Sequence, residues 1–591
     1  MKRTIAVLAM ITLLASCKEE APERDWSGEF DQMLENYAED GKKLNPLMAT
    51  FMGDGRYNDR FPNYLDPAVE DSIVAHFNRY KAQVVEFPDS LLSSSQKMSK
   101  AVLLWECDIN LEGFAYDKPR YMPIDQMWSP HLMMGQLGSG ASAQPFNTVE
   151  DYDNWLKRTN GFVAWLNSAL SNMEEGMSKG YVLPASLVVK VVPQLRSMSE
   201  PPAEQHLFYG PINNMPEGFS AEDKERLTTA YTQMIDQQLK PACKALADFM
   251  EGSYMENARS SSGIQGIPNG DDYYKHQIKL YTTTQMTAEE IHELGLSEVA
   301  RIRGEMEKVM AEVEFEGDLR AFFDHVRSKP ELMPYTDPQQ VIDHFNSIHE
   351  RMKPQIEVLF DKKPQTAFEV RRTEAFRERS ASAEYNPGSL KDNRPGIFYV
   401  PIPEVTAYNI HGDESLFLHE AIPGHHYQVA LTQENESLPD FRKNLFYSGY
   451  GEGWALYAES LGKELGLLTD PYQYFGMLGA EMHRAIRLVV DTGLHYKGWT
   501  REEAIAYSLD NEAESEASIT SEIERYMANP GQALSYKIGQ LTILRLRQEA
   551  EAQLGDDFDI KEFHNEVLET GSIPLALLEE KIQSWIMAKK G

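Results

Sequence analysis

The run His419-Glu420-Ala421-Ile422-Pro423-Gly424-His425-His426 constrains this chain more than any other stretch. It combines metal-ligating side chains with a helix breaker. In the usual His-Glu-x-x-His arrangement, two imidazoles four residues apart share one helix face and one ion, and the Glu faces the attacking water. A continuous helix cannot do that here. His419 and His425 are six residues apart, about 120° out of phase, while His419 and His426 are in phase but about 10 Å apart along the axis. Pro423 breaks the hydrogen-bond ladder and Gly424 allows unusual dihedrals, so a local bulge is expected to return a second His to the first. His425 is the favoured second ligand and His426 the alternative.

A third ligand is expected from Glu452, 27 residues beyond His425 in Gly449-Tyr450-Gly451-Glu452-Gly453-Trp454-Ala455-Leu456-Tyr457-Ala458-Glu459. Seven residues on, Glu459 falls near the same helix face and is placed to orient an imidazole from behind. Either Glu alone reads as a surface charge; the His cluster upstream reverses that reading. Imidazole nitrogen and carboxylate oxygen, three from protein, suit a catalytic Zn²⁺, and one per chain is expected. His292-Glu293-Leu294-Gly295-Leu296 starts the same way but has Leu where the second His is needed, so His292 reads as an ordinary helix residue. Trp454 reads as packing beside the metal helix.

The amino terminus points outside the cytoplasm. Lys2 and Arg3 precede an apolar run, Ile5 to Leu14, too short to span a bilayer, and Leu14-Ala15-Ser16-Cys17 reads as a lipobox. Residues 1–16 are expected to be a signal peptide, 17–29 a tether, and Cys17 a lipidation site that anchors the chain to a membrane. The acidic residues after Cys17 suit an outer-membrane lipoprotein of a Gram-negative envelope, periplasmic or surface-exposed. Loss of Lys2 and Arg3 takes the formal charge from −34 to −36. Such an acidic chain argues against nucleic acid as a partner. Cys107 and Cys243 can pair, but one pair is no disulfide framework.

Apolar residues at three- and four-residue spacing predict helices over 66–85, 95–111 and 149–173. Ser220-Ala-Glu-Asp and Thr287-Ala-Glu-Glu read as capping boxes opening helices to about Phe249 and Val313, and 337–360 reads as one more. The Ser-, Gly- and Asn-rich stretch 251–275 reads as a loop or junction between a helical region, 30–250, and a catalytic region, 276–591. Phe368-Glu-Val-Arg-Arg and Gly396-Ile-Phe-Tyr-Val read as strands. The fold class is mainly α with a small β-sheet preceding the His-rich helix. The strand 396–400 is a candidate to pair with an extended peptide.

Donors for a developing oxyanion are sought downstream. Arg487, Asp491 and His495 recur every four residues and drift about 40° per step along one helix face. Arg525, Tyr526, Gln532, Tyr536 and Lys537 flank a Pro530-Gly531 break that suggests a loop at a cleft. Tyr526, Tyr536 and His495 are candidate oxyanion donors; Arg487, Asp491, Arg525, Gln532 and Lys537 are candidates for substrate binding or support.

Glu452-Gly-Trp-Ala-Leu-Tyr-Ala-Glu459 resembles the Glu-bearing helix of the zinc aminopeptidases. His419-Glu420…Gly424-His425 resembles the motifs of helical oligopeptidases and carboxypeptidases, and the one-residue-longer motif of dipeptidyl peptidase III. Together with Asp491-Thr-Gly-Leu-His495 and Pro530-Gly-Gln-Ala-Leu-Ser-Tyr-Lys-Ile-Gly539, these segments are similar to the bacterial family known as domain of unknown function 885, often lipoproteins, over nearly the whole mature chain. The resemblance implies a helical zincin-like (gluzincin-type) metallopeptidase fold. The expected function is a lipid-anchored zinc metallopeptidase with Glu420 as general base and a peptide substrate. A hydrolase of non-peptide esters or amides, or a silent binding lipoprotein on the same fold, are the alternatives; the intact Glu420 argues against the last.

Overall fold

The computed structural model describes residues 24–375, 377–379, 381–390 and 393–591. The expected signal peptide, the lipobox with Cys17 and most of the tether lie outside them. Helix accounts for 69% and strand for 3%, so the molecule is mainly helical and its three-stranded sheet is a local device. The elements that build the site are, in order, α1 (Ser94–Gly113), α2 (Val149–Ser178), α3 (Gly270–Thr282), α4 (Ala288–Glu312), α5 (Pro338–Leu359), β1 (Phe368–Arg372), β2 (Glu384–Asn386), β3 (Gly396–Val400), α6 (Asp413–Glu420), α7 (His425–Glu434), α8 (Ser448–Ser460), α9 (Pro471–Thr492), α10 (Glu516–Ala528) and α11 (Ser535–Leu554).

Helix starts follow local chemistry. Thr148 and Thr287 form capping boxes with Asp151 and Glu290, opening α2 and α4. Asp337 and Asp470 cap α5 and α9, each with Pro at the first helical position. Ser220 accepts from the Asp223 amide, but the Asp223 carboxylate takes the Ser220 hydroxyl rather than its amide, so only half of the expected box forms. Helix α5 shows what then fixes the helices in place. Val341, Phe345, Ile348, Met352 and Ile356 form its buried stripe, and β1 lies against it. Buried apolar side chains form one cluster from Phe30 to Ile586. Ile264 and Ile267 belong to it, so the 251–275 stretch is packed rather than free, and α3 already begins at Gly270. Cys107 and Cys243 do not pair; both are free and buried.

The sheet order is β1-β3-β2, with β1 parallel and β2 antiparallel to β3. This corrects an expectation. The strand 396–400 is central, so both of its edges are taken and it cannot accept a peptide. The outer strands are β1 and β2, and β2 is a three-residue strand with too little pattern to read from sequence.

Helices α8 and α11 cross at glycines. A Cβ on Gly453 would lie 2.5 Å from the Gly539 Cα, and one on Gly539 would fall inside the Gly449 carbonyl. The two backbones touch, and Glu452 stands beside that contact. Among the described residues no helix is long and apolar enough to cross a membrane.

Candidate metal centre and its cavity

The His-rich segment is two helices, not one bulged helix. Helix α6 stops at Glu420, since Ala421 leaves helical dihedrals (φ −106°, ψ −106°) and Ile422, the residue before Pro423, is disfavoured in the helical region. Four residues later α7 starts at His425. The break is tight: a Cβ on Gly424 would overlap the carbonyls of Leu418 and His419, so only glycine lets the chain fold back over the end of α6. The Trp454 indole N–H of α8 donates to the Pro423 carbonyl at 2.8 Å and pins the break. Trp454 therefore packs beside the metal helix and also holds its geometry.

The fold-back brings His419, His425 and Glu452 together, with one donor atom from each within 4.8 Å of the others. Glu452 Oε2 lies 3.6 Å from His419 Nε2 and 3.5 Å from His425 Nε2. Donors around a tetrahedral Zn²⁺ at 2.0–2.1 Å sit roughly 3.3 Å apart, so both spacings to Glu452 are close to what that ion needs. His419 Nδ1–H donates to Glu459 at 2.7 Å, and Ser415 Oγ donates to the other Glu459 oxygen at 2.5 Å. This fixes the tautomer that leaves Nε2 free to ligate.

The electrostatics ask for a cation. Burial opposes charge on His419, but hydrogen bonds to Glu452 and Glu459 outweigh it and carry the imidazole up to about 9. Burial likewise opposes the Glu452 carboxylate, yet His425 and His419 hold it well below its ordinary range. Two buried carboxylates thus share positive charge with the imidazoles, a role a divalent ion takes over directly. Burial pushes the Glu420 carboxyl up, against the pull of His419 and His425.

His426 points elsewhere. Its Nδ1 lies 3.1 Å from the Tyr385 hydroxyl, its ring sits against Phe368, and burial lowers it to about 4. The structure groups His425, not His426, with His419 and Glu452.

The three donors and Glu420 line a cavity of about 1430 Å³, together with Arg487, Arg525, Gln532 and Tyr536. The other downstream candidates are not at its surface. Tyr526 OH donates to Glu522 at 2.7 Å and accepts from Arg487 Nε at 3.0 Å, so it braces the arginine from behind. Asp491 accepts from Tyr274 OH at 2.6 Å and from the Gly531 amide at 3.1 Å, tying down the Pro530-Gly531 loop rather than an imidazole. His495 accepts from the Ile264 amide at 2.9 Å and faces the Tyr526 carbonyl at 3.0 Å, its whole ring spent on backbone. It sits in a π turn, Gly493–Lys497, which widens the helix and breaks the four-residue phase from Arg487. Lys537 is fully buried and holds Glu481 at 2.7 Å and Glu298 at 3.0 Å. His292 bonds Thr492 inside the helix pair α4–α9.

Sequence reasoning missed His483, Arg484, Glu522 and Tyr385, all in the cavity wall. His483 and Arg484 lie one turn before Arg487, so extending the same helix face backwards finds them. Residues 382–385 and Pro387 also line the cavity, placing the unpaired edge of β2 beside the donors. A second cavity, of about 1080 Å³ near Lys97, Lys362 and Lys581, holds none of these groups.

Two solved structures share this fold. The chain is similar to a "putative lipoprotein" from Colwellia psychrerythraea, with 28% identity, a TM-score of 0.86 and coverage of 95% of this chain and 99% of that one. It is also similar to a "putative lipoprotein of unknown function" from Shewanella oneidensis, with 20% identity, a TM-score of 0.76 and coverage of 94% and 99%. No curated protein matches the chain. The motifs at 419–428, 451–459, 491–495 and 530–539 all fall within residues 46–582, which match the description "Bacterial protein of unknown function (DUF885)", and the chain belongs to that family.

Proposed function

We propose that this chain is a zinc-dependent metallopeptidase of zincin-like helical fold that hydrolyses peptides outside the cytoplasm. The observation that carries the reading is the convergence of His419, His425 and Glu452 donor atoms within 4.8 Å, with Glu420 lining the same cavity. When bound, the metal supplies Lewis acidity that polarises the scissile carbonyl and activates water near neutral pH. Glu420 adjoins a ligand without being one. Its carboxylate takes a proton from the attacking water and passes it to the leaving amine. Tyr536 faces the cavity near Glu452 and offers its hydroxyl to the carbonyl oxygen as charge builds there. The free edge of β2 is suited to hold an extended substrate backbone.

Anchoring through lipid on Cys17 is part of the reading, supported by the lipobox and by the two similar proteins described as lipoproteins. Cys17→Ser is expected to release the protein from the membrane fraction or block its processing. The function itself is tested by metal analysis of the purified protein with peptide-library cleavage, wild type against His419→Ala. Loss of both metal and cleavage is expected. Full zinc content in the variant removes the metal centre from the reading.

A further inference from the structure

One wall of the cavity carries more positive charge than the fold neutralises. Arg484 and Arg487 come from α9 and Arg525 from α10. Glu522 is shared between Arg487 at 3.1 Å and Arg525 at 2.9 Å, and Glu512 is taken by His483 at 2.5 Å. Among the described residues Arg484 has no carboxylate within ion-pair reach. It donates to the Ala480 carbonyl at 3.2 Å, and its Nε has no partner. Arg487 is 8% exposed, and its buried Nη1 also lacks a partner. Arg301 meets Glu481 at 2.6 Å and Arg547 meets Glu464 at 2.9 Å, while the buried Arg158, which meets no carboxylate among the described residues, spends its donors on carbonyls, Gln144 and Thr50. The cavity's own acids do not fill the gap. Glu452 faces His419 and His425, and Glu420 feels the charge of Arg484 without bonding to it.

A buried guanidinium with an unused donor, as in Arg487, is costly until an anion arrives, and the partly exposed Arg484 beside it offers a planar fork that matches a carboxylate. The net charge of −34 repels anions at long range, so this wall acts locally, on a group already in the cavity. Arg484 lines the same cavity as Glu420, which faces the scissile bond in the peptidase reading. An extended residue covers about 3.5 Å, so within a cavity of about 1430 Å³ the recognised group stands a few residues at most from that bond.

We infer that Arg484, backed by Arg487, is a carboxylate subsite that selects peptides presenting a carboxylate within a few residues of the bond to be cut. This rests on the peptidase reading. The carboxylate comes either from the substrate's own C-terminus or from an Asp or Glu side chain. The aromatic rim, with Trp128 63% and Phe446 56% exposed, offers uncharged neighbours their contact.

The test uses the metal-loaded full chain and three matched peptides: a free acid, its C-terminal amide, and the amide with Glu at the penultimate position. Cleavage is followed for wild type, and binding is measured by calorimetry on Glu420→Gln. The free acid is expected to exceed the plain amide by about 10²-fold or more in kcat/KM. The ratio is expected to fall towards one in Arg484→Gln and, with charge kept and the fork lost, to shrink in Arg487→Lys. Recovery by the Glu-bearing amide assigns the subsite to side chains; a gain confined to the free acid assigns it to the C-terminus. Equal cleavage and equal binding of acid and plain amide overturn the subsite while leaving the peptidase reading in place. An unchanged ratio in folded Arg484→Gln overturns its assignment to this wall. If no peptide is cut but the acid still binds Glu420→Gln more tightly, the peptidase reading fails and the subsite stands.

Discussion

The later half of helix α9 and the π turn that follows it carry two sets of polar residues of the same kinds and use them differently. At His483, Arg484 and Arg487 the side chains face the large cavity, and two donors, Arg484 Nε and Arg487 Nη1, are left without partners. At Asp491 and His495 the side chains face packed neighbours, and the hydrogen-bonding capacity is consumed by Tyr274, Gly531, Ile264 and Tyr526. Residue type does not separate the two groups. What separates them is whether the fold has already spent their donors and acceptors. A saturated buried network stabilises the structure it sits in, while an unsaturated one beside a cavity is prepared for something absent from the chain.

The largest expected effect sharpens this contrast inside the His-rich segment. His425→Ala should lose zinc and with it all peptidase activity, measured by metal content per chain. His426→Ala, which removes an imidazole directed at Tyr385, should retain the metal. The reverse outcome exchanges the ligand assignment. Next in size is Glu420→Gln, which keeps shape and removes basicity. Activity should drop about 10²–10⁴-fold with zinc content near wild type; loss of zinc instead would make Glu420 a ligand and reopen the place of Glu452. Glu459→Gln should weaken zinc affinity by roughly 10- to 100-fold, because it loosens the grip on His419 Nδ1 without touching the ion, and competition with a chelator measures this.

The smallest effect on catalysis is expected at the saturated set, in the π turn after α9. His495→Gln should leave the activity of the folded enzyme nearly intact and change stability instead. Burial lowers His495 to about 3 in the folded chain, against about 6.5 when unfolded. Its depressed value means the stabilisation is complete above pH 6.5 and is lost as pH falls towards 3. By pH 4 the wild type should have given up about 3 kcal/mol through this one group. Denaturation at pH 7 and pH 4 should show a shallower acid dependence in the variant. A large loss of turnover at neutral pH in well-folded His495→Gln would break the comparison, since it would put His495 back into the chemistry.

The legible parts of the molecule were those written in short-range pattern. Thr287 and Asp337 announce their helices because a cap needs only three or four neighbouring residues, and the strands at 368 and 396 stand out between Pro and Gly. Helical phase also carries the metal set: His419 to His425 is impossible on one helix, and Pro423-Gly424 marks where the chain must turn. The sequence does not say that the turn would be a full break between two helices, because this depends on Trp454, 31 residues away, donating to the Pro423 carbonyl. The same limit explains His495. Its four-residue spacing from Asp491 assumes α-helical rise, and the π turn that overrides it is set by packing against the 262–265 segment. The role of Lys537 was hidden because its partners, Glu298 and Glu481, come from two other helices.

The crossing of α8 and α11 at Gly453 and Gly539 gives the third donor an unusual kind of inheritance. Most binding residues owe their place to the side chains around them, so their surroundings can drift by compensating exchanges of volume. Glu452 owes its place to main chain resting on main chain, and no exchange of volume compensates for an added methyl at a point with no volume to give. Side chains around the cluster can exchange volume with one another, whereas these two positions admit no such revision without displacing the carboxylate itself.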